Sequence, residues 1–281
     1  MEQGTARVPV RKISLEAGTA QAMLDVLAVE EPLEVRLAWR ERDAGRDVDR
    51  ERTIAITMRT PGHDRELGAG FLFGEGIVRQ SRDIATCEAT AGGVRVELAA
   101  GVEVDLRSLE RNFYVTSSCG VCGKASLDAV RVRRAHVTPA GPRLDRRAVV
   151  GMPATLRAAQ AAFETTGGLH AAGLFDAAGT LHDVREDVGR HNAVDKLVGA
   201  ALLAGGLPLT DRILMLSGRA SFELVQKAAM AGLSVVAAVG APSTLAVELA
   251  RESGVTLLGF VRDGRFNVYT GSQRVLGVGD E

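Results

Sequence analysis

Two kinds of hydrophobic pattern divide the chain. Through the first 115 residues apolar and polar positions mostly alternate. LEVRLAW (33–39) and RTIAITMR (52–59) read as two strands joined by a charged, glycine-containing loop, and IATCEAT, VRVEL and VEVDL read as further short strands. Between them Leu67, Phe71 and Leu72 recur at helical spacing, which predicts a short helix capped by Asp64 and limited by its flanking glycines. Residues 1–30 predict no more than an N-terminal arm.

Beyond residue 115 the pattern changes. A glycine-rich stretch holding two cysteines leads into a helix and an arginine-rich linker, broken by Pro139 and Pro142 and reaching about residue 150. PATLRAAQAAFETTGG then reads as one helix closed by glycines, and HAAGLFDAAGTLHDV as two short strands around a turn. RILMLSG, SVVAAVG and VTLLGFV are uninterrupted apolar runs; helices follow the first two and a hairpin ends the third. This predicts an α/β unit with a largely parallel sheet, covered on both faces, whose ligands meet the carboxyl ends of the strands. The expected segments are an arm (1–30), a smaller β-rich region (31–115), the dithiol loop with its helix and linker (116–150), and an α/β unit carrying a crevice (151–281).

With 281 residues, 46% of them apolar, the chain has ample material for a buried core. A formal charge of −1 gives no global attraction to nucleic acid or to an anionic membrane, so any anionic ligand must be met by a local patch. The N-terminus has no apolar targeting core, and the longest apolar run, LVGAALLAGGLPL, is too short and glycine-rich to span a bilayer. Three cysteines argue against a disulfide framework and for a reducing compartment, the cytoplasm.

Cys119 and Cys122, in SSCGVCGK, admit several readings. Structural zinc needs four ligands; only one thiol pair exists, the five histidines show no ligand spacing, and no metal centre is expected. Zinc deaminase chemistry needs H-x-E with P-C-x-x-C, and Ser118 stands where the proline should be. A thioredoxin-like centre suits a CxxC ahead of a helix, but the preceding run of short strands is the wrong context. A carrier remains: a thiolate in a glycine-rich loop beside Lys124 accepts sulfur as a persulfide and passes it on. A chance pair of small residues at a turn stays open beside it.

Three stretches downstream suit an anion. Ser217, Gly218 and Arg219 occupy a strand-to-helix turn where free N–H groups favour phosphate. His191 and Asn192 open a helix in REDVGRHNAVDK, crowded with charge. Arg262 and Arg265 bracket Asp263–Gly264 just after Phe260 and Val261, an arrangement able to clamp a pyrophosphate with an aromatic ring against a base. Each also has a plain reading as a loop, a solvated helix start or a charged hairpin tip.

GFLFGEGI, SSCGVCGK, HAAGLFD, REDVGRHNAVDKLVG, LSGRASFELVQKAAMAG, APSTLAVELA and GFVRDGRFNVYT, in this order, resemble the formate dehydrogenase accessory sulfurtransferase family, FdhD. The resemblance implies a three-layer αβα domain similar to cytidine deaminases with a smaller, mostly β N-terminal region. It implies a sulfurtransferase-type carrier that takes sulfur from a cysteine desulfurase and delivers it to the molybdenum bis(molybdopterin guanine dinucleotide) cofactor before insertion into formate dehydrogenase. Cys119 matches the persulfide-bearing cysteine and Cys122 its companion. Phe260, Val261, Arg262, Asp263, Gly264 and Arg265 match the stretch assigned to the cofactor, which a guanine nucleotide would mimic. Ser217, Gly218, Arg219, His191 and Asn192 are the further candidates for that crevice, and a homodimer is expected. Two alternatives are a cofactor-binding chaperone without sulfur transfer and a thiol-disulfide oxidoreductase.

Overall fold

The computed structural model describes residues 4–43, 46–104 and 141–277. It opens with an antiparallel hairpin, β1 (Thr5–Ser14) and β2 (Thr19–Ala28), where the sequence suggested only an arm. β3 (Glu31–Asp43) and β4 (Arg46–Arg59) follow as expected, and with β5 (Ile84–Thr90) and β6 (Gly93–Leu98) they build a four-stranded sheet in the order β4-β3-β6-β5. Period-two alternation is visible in the packing: Leu33, Val35 and Leu37 share one buried face with Val94, Val96 and Leu98. Residues 102–104 form no strand, so the expected VEVDL strand is absent from its described part.

Helix α1 (Asp64–Gly74) begins one residue earlier than a capping Asp64 would require. His63, in left-handed conformation, precedes it, and the Asp64 carboxylate instead accepts from the Arg59 guanidinium at 2.9 and 3.0 Å. The helix lies between the four-stranded sheet and the rest of the protein.

The expected linker and single helix are replaced by two helices, α2 (Arg146–Ala158) and α3 (Ala161–Thr166). Asp145 caps α2 by accepting from the Arg147 N–H at 2.7 Å, and Val149, Met152 and Leu156 form its buried stripe. Arg146 and Arg147, two of the arginines that suggested a linker, are exposed in its first turn, and Arg131, Arg133 and Arg134 lie outside the described residues.

A six-stranded sheet organises the second half in the order β12-β11-β10-β9-β7-β8. Its members are β7 (His170–Phe175), β8 (Leu181–Asp187), β9 (Ile213–Leu216), β10 (Val235–Ala238), β11 (Thr256–Arg262) and β12 (Arg265–Thr270). Only β9–β10 and β10–β11 are parallel; the other neighbours are antiparallel, because the hairpins β7–β8 and β11–β12 complete the two sides. The sheet is therefore mixed, not largely parallel. Ile213, Met215, Val235 and Ala237 face α2, whereas Leu214, Leu216, Val236 and Ala238 belong to the opposite core with α4 (Arg190–Leu203), α5 (Phe222–Met230) and α6 (Thr244–Glu252). This is a three-layer αβα arrangement. The second of these cores continues through α1 into the four-stranded sheet, so the two regions share one interior. No helix among the described residues is long and apolar enough to cross a membrane.

Candidate functional site

Cys119, Cys122 and Lys124 lie outside the described residues. The other candidates are placed by the six-stranded sheet, where the turns after β9, β10 and β11 sit side by side. The Gly240 N–H donates to Gly218 O at 2.9 Å, and the Phe260 N–H donates to Gly240 O at 3.1 Å. A side chain at Gly240 would place its Cβ 3.1 Å from Gly218 O, so glycine permits these backbones to approach. Gly218, Arg219 and Phe260 to Arg265 thus meet at one end of the sheet.

Two helix N-termini reach the same end. α4 is preceded by Gly189, which has no capping side chain, and α5 by Ser221, whose hydroxyl makes no cap hydrogen bond. Their first N–H groups and the positive ends of their dipoles favour an anion there. Arg219, Arg262 and Arg265 are exposed beside them. Asp263 (φ 54°) and Gly264 (φ 72°) are both left-handed, as a two-residue hairpin turn requires, and they set Arg262 opposite Arg265.

Phe260 is the strained residue of this rim. Its φ is 53°, unfavourable for a bulky side chain at a cost of about 1–3 kcal/mol, and it falls within a register shift of the β11–β12 pair. The Arg262 guanidinium carbon stands 5.4 Å from its ring centroid. The aromatic face and the cation are held together at this end of the sheet.

Behind the arginines lies a cluster that sequence reasoning did not assemble. His191 Nε2 is 3.3 Å from Ser221 Oγ and 3.4 Å from Glu223 Oε2. Burial pushes the His191 ring down to about 4, with Arg190, Lys227 and His170 adding to the effect and Glu223 opposing it. His170 begins β7 beside Gly218, and burial followed by the charges of Arg190 and Arg219 also lowers its pKa. Both rings are neutral near pH 7. Their grouping depends on the chain returning to one sheet end from residues 170, 191 and 221–223, and the only local signal was a serine and a glutamate in the first turn of α5.

The charges of REDVGRHNAVDK separate by function. His191 lies against Ser221 and Glu223 at the start of α5, but Asn192 is buried: its amide donates to Met58 O (2.8 Å) and to the Asp187 carboxylate (3.0 Å), while its carbonyl accepts from the Thr57 hydroxyl (3.3 Å). Asp187, fully buried, also accepts from the Thr60 N–H at 3.1 Å, the Gly189 N–H at 2.8 Å and Lys196 Nζ at 2.7 Å. Deeper in α4, Asp195 pairs with Lys227 at 2.7 Å. Burial works against the Lys227 ammonium, but Asp195, Glu223 and Glu75 outweigh it and raise its pKa above the ordinary lysine value. Ser217 is likewise committed to structure, since its hydroxyl accepts from the Ala171 N–H at 2.8 Å where β7 joins β9.

Glycine turns, uncapped helix ends and three exposed arginines give this end of the sheet groups suited to a phosphorylated ligand, with Phe260 beside them for a planar group. Among the described residues no cluster of three or more His, Cys, Asp or Glu side chains could hold a metal ion.

The FdhD/NarQ family model matches residues 28–276. A protein of Streptomyces avermitilis named sulfur carrier protein FdhD is 50% identical over 94% of this chain and 93% of its own. Proteins of the same name from Mycolicibacterium paratuberculosis and Sulfurisphaera tokodaii are 49% and 41% identical, over 94% and 96% of this chain and 97% and 98% of their own. A crystal structure described as a formate dehydrogenase accessory protein from Desulfotalea psychrophila superposes with a TM-score of 0.74 at 25% identity, covering 97% of this chain and 100% of that one. With its family pattern matched from β2 to the C-terminal turn, and relatives at half identity along nearly the whole length, the chain belongs to the FdhD/NarQ family.

Proposed function

We propose that this protein is a cytoplasmic sulfur carrier for formate dehydrogenase. The carrying observation is the near full-length similarity to proteins named sulfur carriers, at 41 to 50% identity. Cys119 takes sulfur from a cysteine desulfurase: its thiolate attacks the outer sulfur of the desulfurase persulfide, forming a new S–S bond and releasing the desulfurase thiolate. Attack of the Cys122 thiolate on the Cys119 sulfur then expels hydrosulfide and leaves a Cys119–Cys122 disulfide. The dithiol thereby supplies the two electrons, and a cellular thiol reductant resets it.

The acceptor in this reading is the molybdenum bis(molybdopterin guanine dinucleotide) cofactor, a substrate and not a resident group. The crevice supports that choice: the uncapped starts of α4 and α5 with Arg219, Arg262 and Arg265 suit its pyrophosphates, and Phe260 suits a guanine base. The neutral rings of His170 and His191 leave the cationic character of the crevice to its arginines and helix ends.

Anaerobic incubation with a cysteine desulfurase and cysteine, followed by intact-mass measurement, tests the carrier step. The expected product gains one sulfur atom, and Cys119→Ala gains none. An unmodified wild-type protein would overturn the proposal, and full formate dehydrogenase maturation by Cys119→Ser would favour a chaperone that only binds the cofactor.

A further inference from the structure

His170 is the first residue of β7, and the seam between β7 and β9 fixes where its ring lies. The Ser217 N–H donates to Ala171 O at 3.0 Å, and the Ser217 hydroxyl accepts from the Ala171 N–H at 2.8 Å. These bonds set His170 beside Gly218, where an added Cβ would fall 3.3 Å from the ring's Nδ1 and 3.5 Å from its Cε1. Glycine at 218 therefore lets the imidazole lie against the backbone of the turn after β9. The residue is half-buried, and among the described residues neither ring nitrogen makes a hydrogen bond. A polar ring held this closely without a protein partner is open to a ligand.

The surroundings keep that ring neutral in the free protein. Burial disfavours the imidazolium, and the charges of Arg190, at the start of α4, and Arg219, in the turn after β9, add to it. His191, next along α4, is itself neutral and contributes no negative charge. Asp187 pairs with His170 across β7 and β8 and pulls the other way, but its carboxylate is taken up by Lys196, Asn192 and the Thr60 and Gly189 N–H groups. His170 thus stands between two cations, at the same end of the sheet as the uncapped starts of α4 and α5. A phosphate bound there reverses the balance, because an opposite charge within about 4–6 Å favours the protonated ring by about 1–3 in pKa.

We propose that His170 is a proton-linked ligand contact: as a phosphorylated ligand reaches this end of the sheet, the ring takes a proton from solvent and binds the phosphate as imidazolium. The inference rests on the cofactor-binding reading and adds to it a dependence on pH. Affinity rises as pH falls through the pKa of the ligand-bound ring, and levels off below that of the free ring, where both forms are protonated. The anion is then held by a charge that is present only while the anion is, and its departure returns the proton to solvent.

Calorimetry of the full-length protein with GDP-mannose is the test, because the pyrophosphate of that probe is a diester and carries no proton that titrates near neutral pH. Titrations at pH 7 in two buffers of different ionisation enthalpy count the protons taken up. The wild type should take up roughly half a proton or more per ligand, and its affinity should rise about three- to tenfold from pH 8 to pH 6. His170→Gln should take up none and show a flat affinity over that range, while keeping its far-UV circular dichroism. His170→Lys should bind at pH 8 at least as tightly as the wild type, again without proton uptake, which a merely structural role for the ring does not predict. Wild-type binding without proton uptake, or uptake that persists in His170→Gln, would overturn this inference and leave the binding reading standing. No binding of GDP-mannose at any pH would overturn the binding reading, and this inference with it.

Discussion

Gly70 of α1 lies directly against the backbone of Asp195 on α4: a methyl group at Gly70 would fall 1.9 Å from the Asp195 carbonyl oxygen. One turn further along α4, Gly199 stands in the same relation to Glu66 O, again at 1.9 Å. The two helices touch backbone to backbone at paired glycines, and this contact joins the N-terminal sheet to the αβα layers. Gly70→Ala or Gly199→Ala would force them apart. Each should cost roughly 1–3 kcal/mol or more despite the better helix propensity of alanine, read as a lower midpoint in urea unfolding.

The Lys227–Asp195 pair ties α5 to α4 next to that contact, with both side chains nearly excluded from solvent. Lys227→Met leaves a carboxylate buried without its cation and should destabilise by about 3–5 kcal/mol. Replacing both residues, as in Asp195→Leu with Lys227→Met, should recover much of that loss. A double-mutant cycle in urea measures the coupling, and strict additivity would contradict the buried pairing.

His191 gives stability a defined pH dependence. Its folded pKa is near 4, against 6.5 for a free ring, so the unfolded chain takes up a proton that the folded protein refuses. The contribution is complete above pH 6.5 and is lost as pH falls from there toward 4, with a ceiling of about 3 kcal/mol. Glu66, held down to about 2, adds its own loss only below pH 4.5. Urea midpoints at pH 7.5 and 5 should converge in His191→Gln relative to the wild type.

The rim arginines make a separate prediction. Arg262→Ala with Arg265→Ala removes two exposed cations without touching the core, so thermal stability should hold while guanosine diphosphate affinity falls at least tenfold, measured by calorimetry. Wild-type affinity should weaken with added salt, and the variant should lose part of that dependence.

Much of this architecture could be read from residue pattern because burial follows it. Leu33, Val35 and Leu37 alternate because one face of β3 is buried, and the apolar runs of β9 and β10 are continuous because both faces of those strands are. Where burial does not follow pattern, the reading failed. The hairpin of residues 5–28 has exposed apolar positions on both faces and gives no one-sided signal. The start of α2 was hidden by nearby prolines and arginines, although Val149, Met152 and Leu156 mark its buried stripe. Phe260 and Arg265 were found together because they are neighbours along the chain. Asn192 and Ser217 were singled out by type, but their hydrogen bonds to Met58 and Ala171 depend on tertiary contacts that no local stretch encodes.

The long α4 helix ties three parts of the protein together. Its first turn holds His191 against the start of α5, its middle pairs Asp195 with Lys227, and its Gly199 meets the backbone of α1. The Asp187 carboxylate, at the end of the strand before α4, accepts from the Thr60 N–H just after β4 of the other sheet. Residues 4–104 and 141–277 therefore cannot mature independently. Expressed as two pieces, they should stay insoluble or molten apart and form a native heterodimer only when made together, much as the halves of a split reporter do.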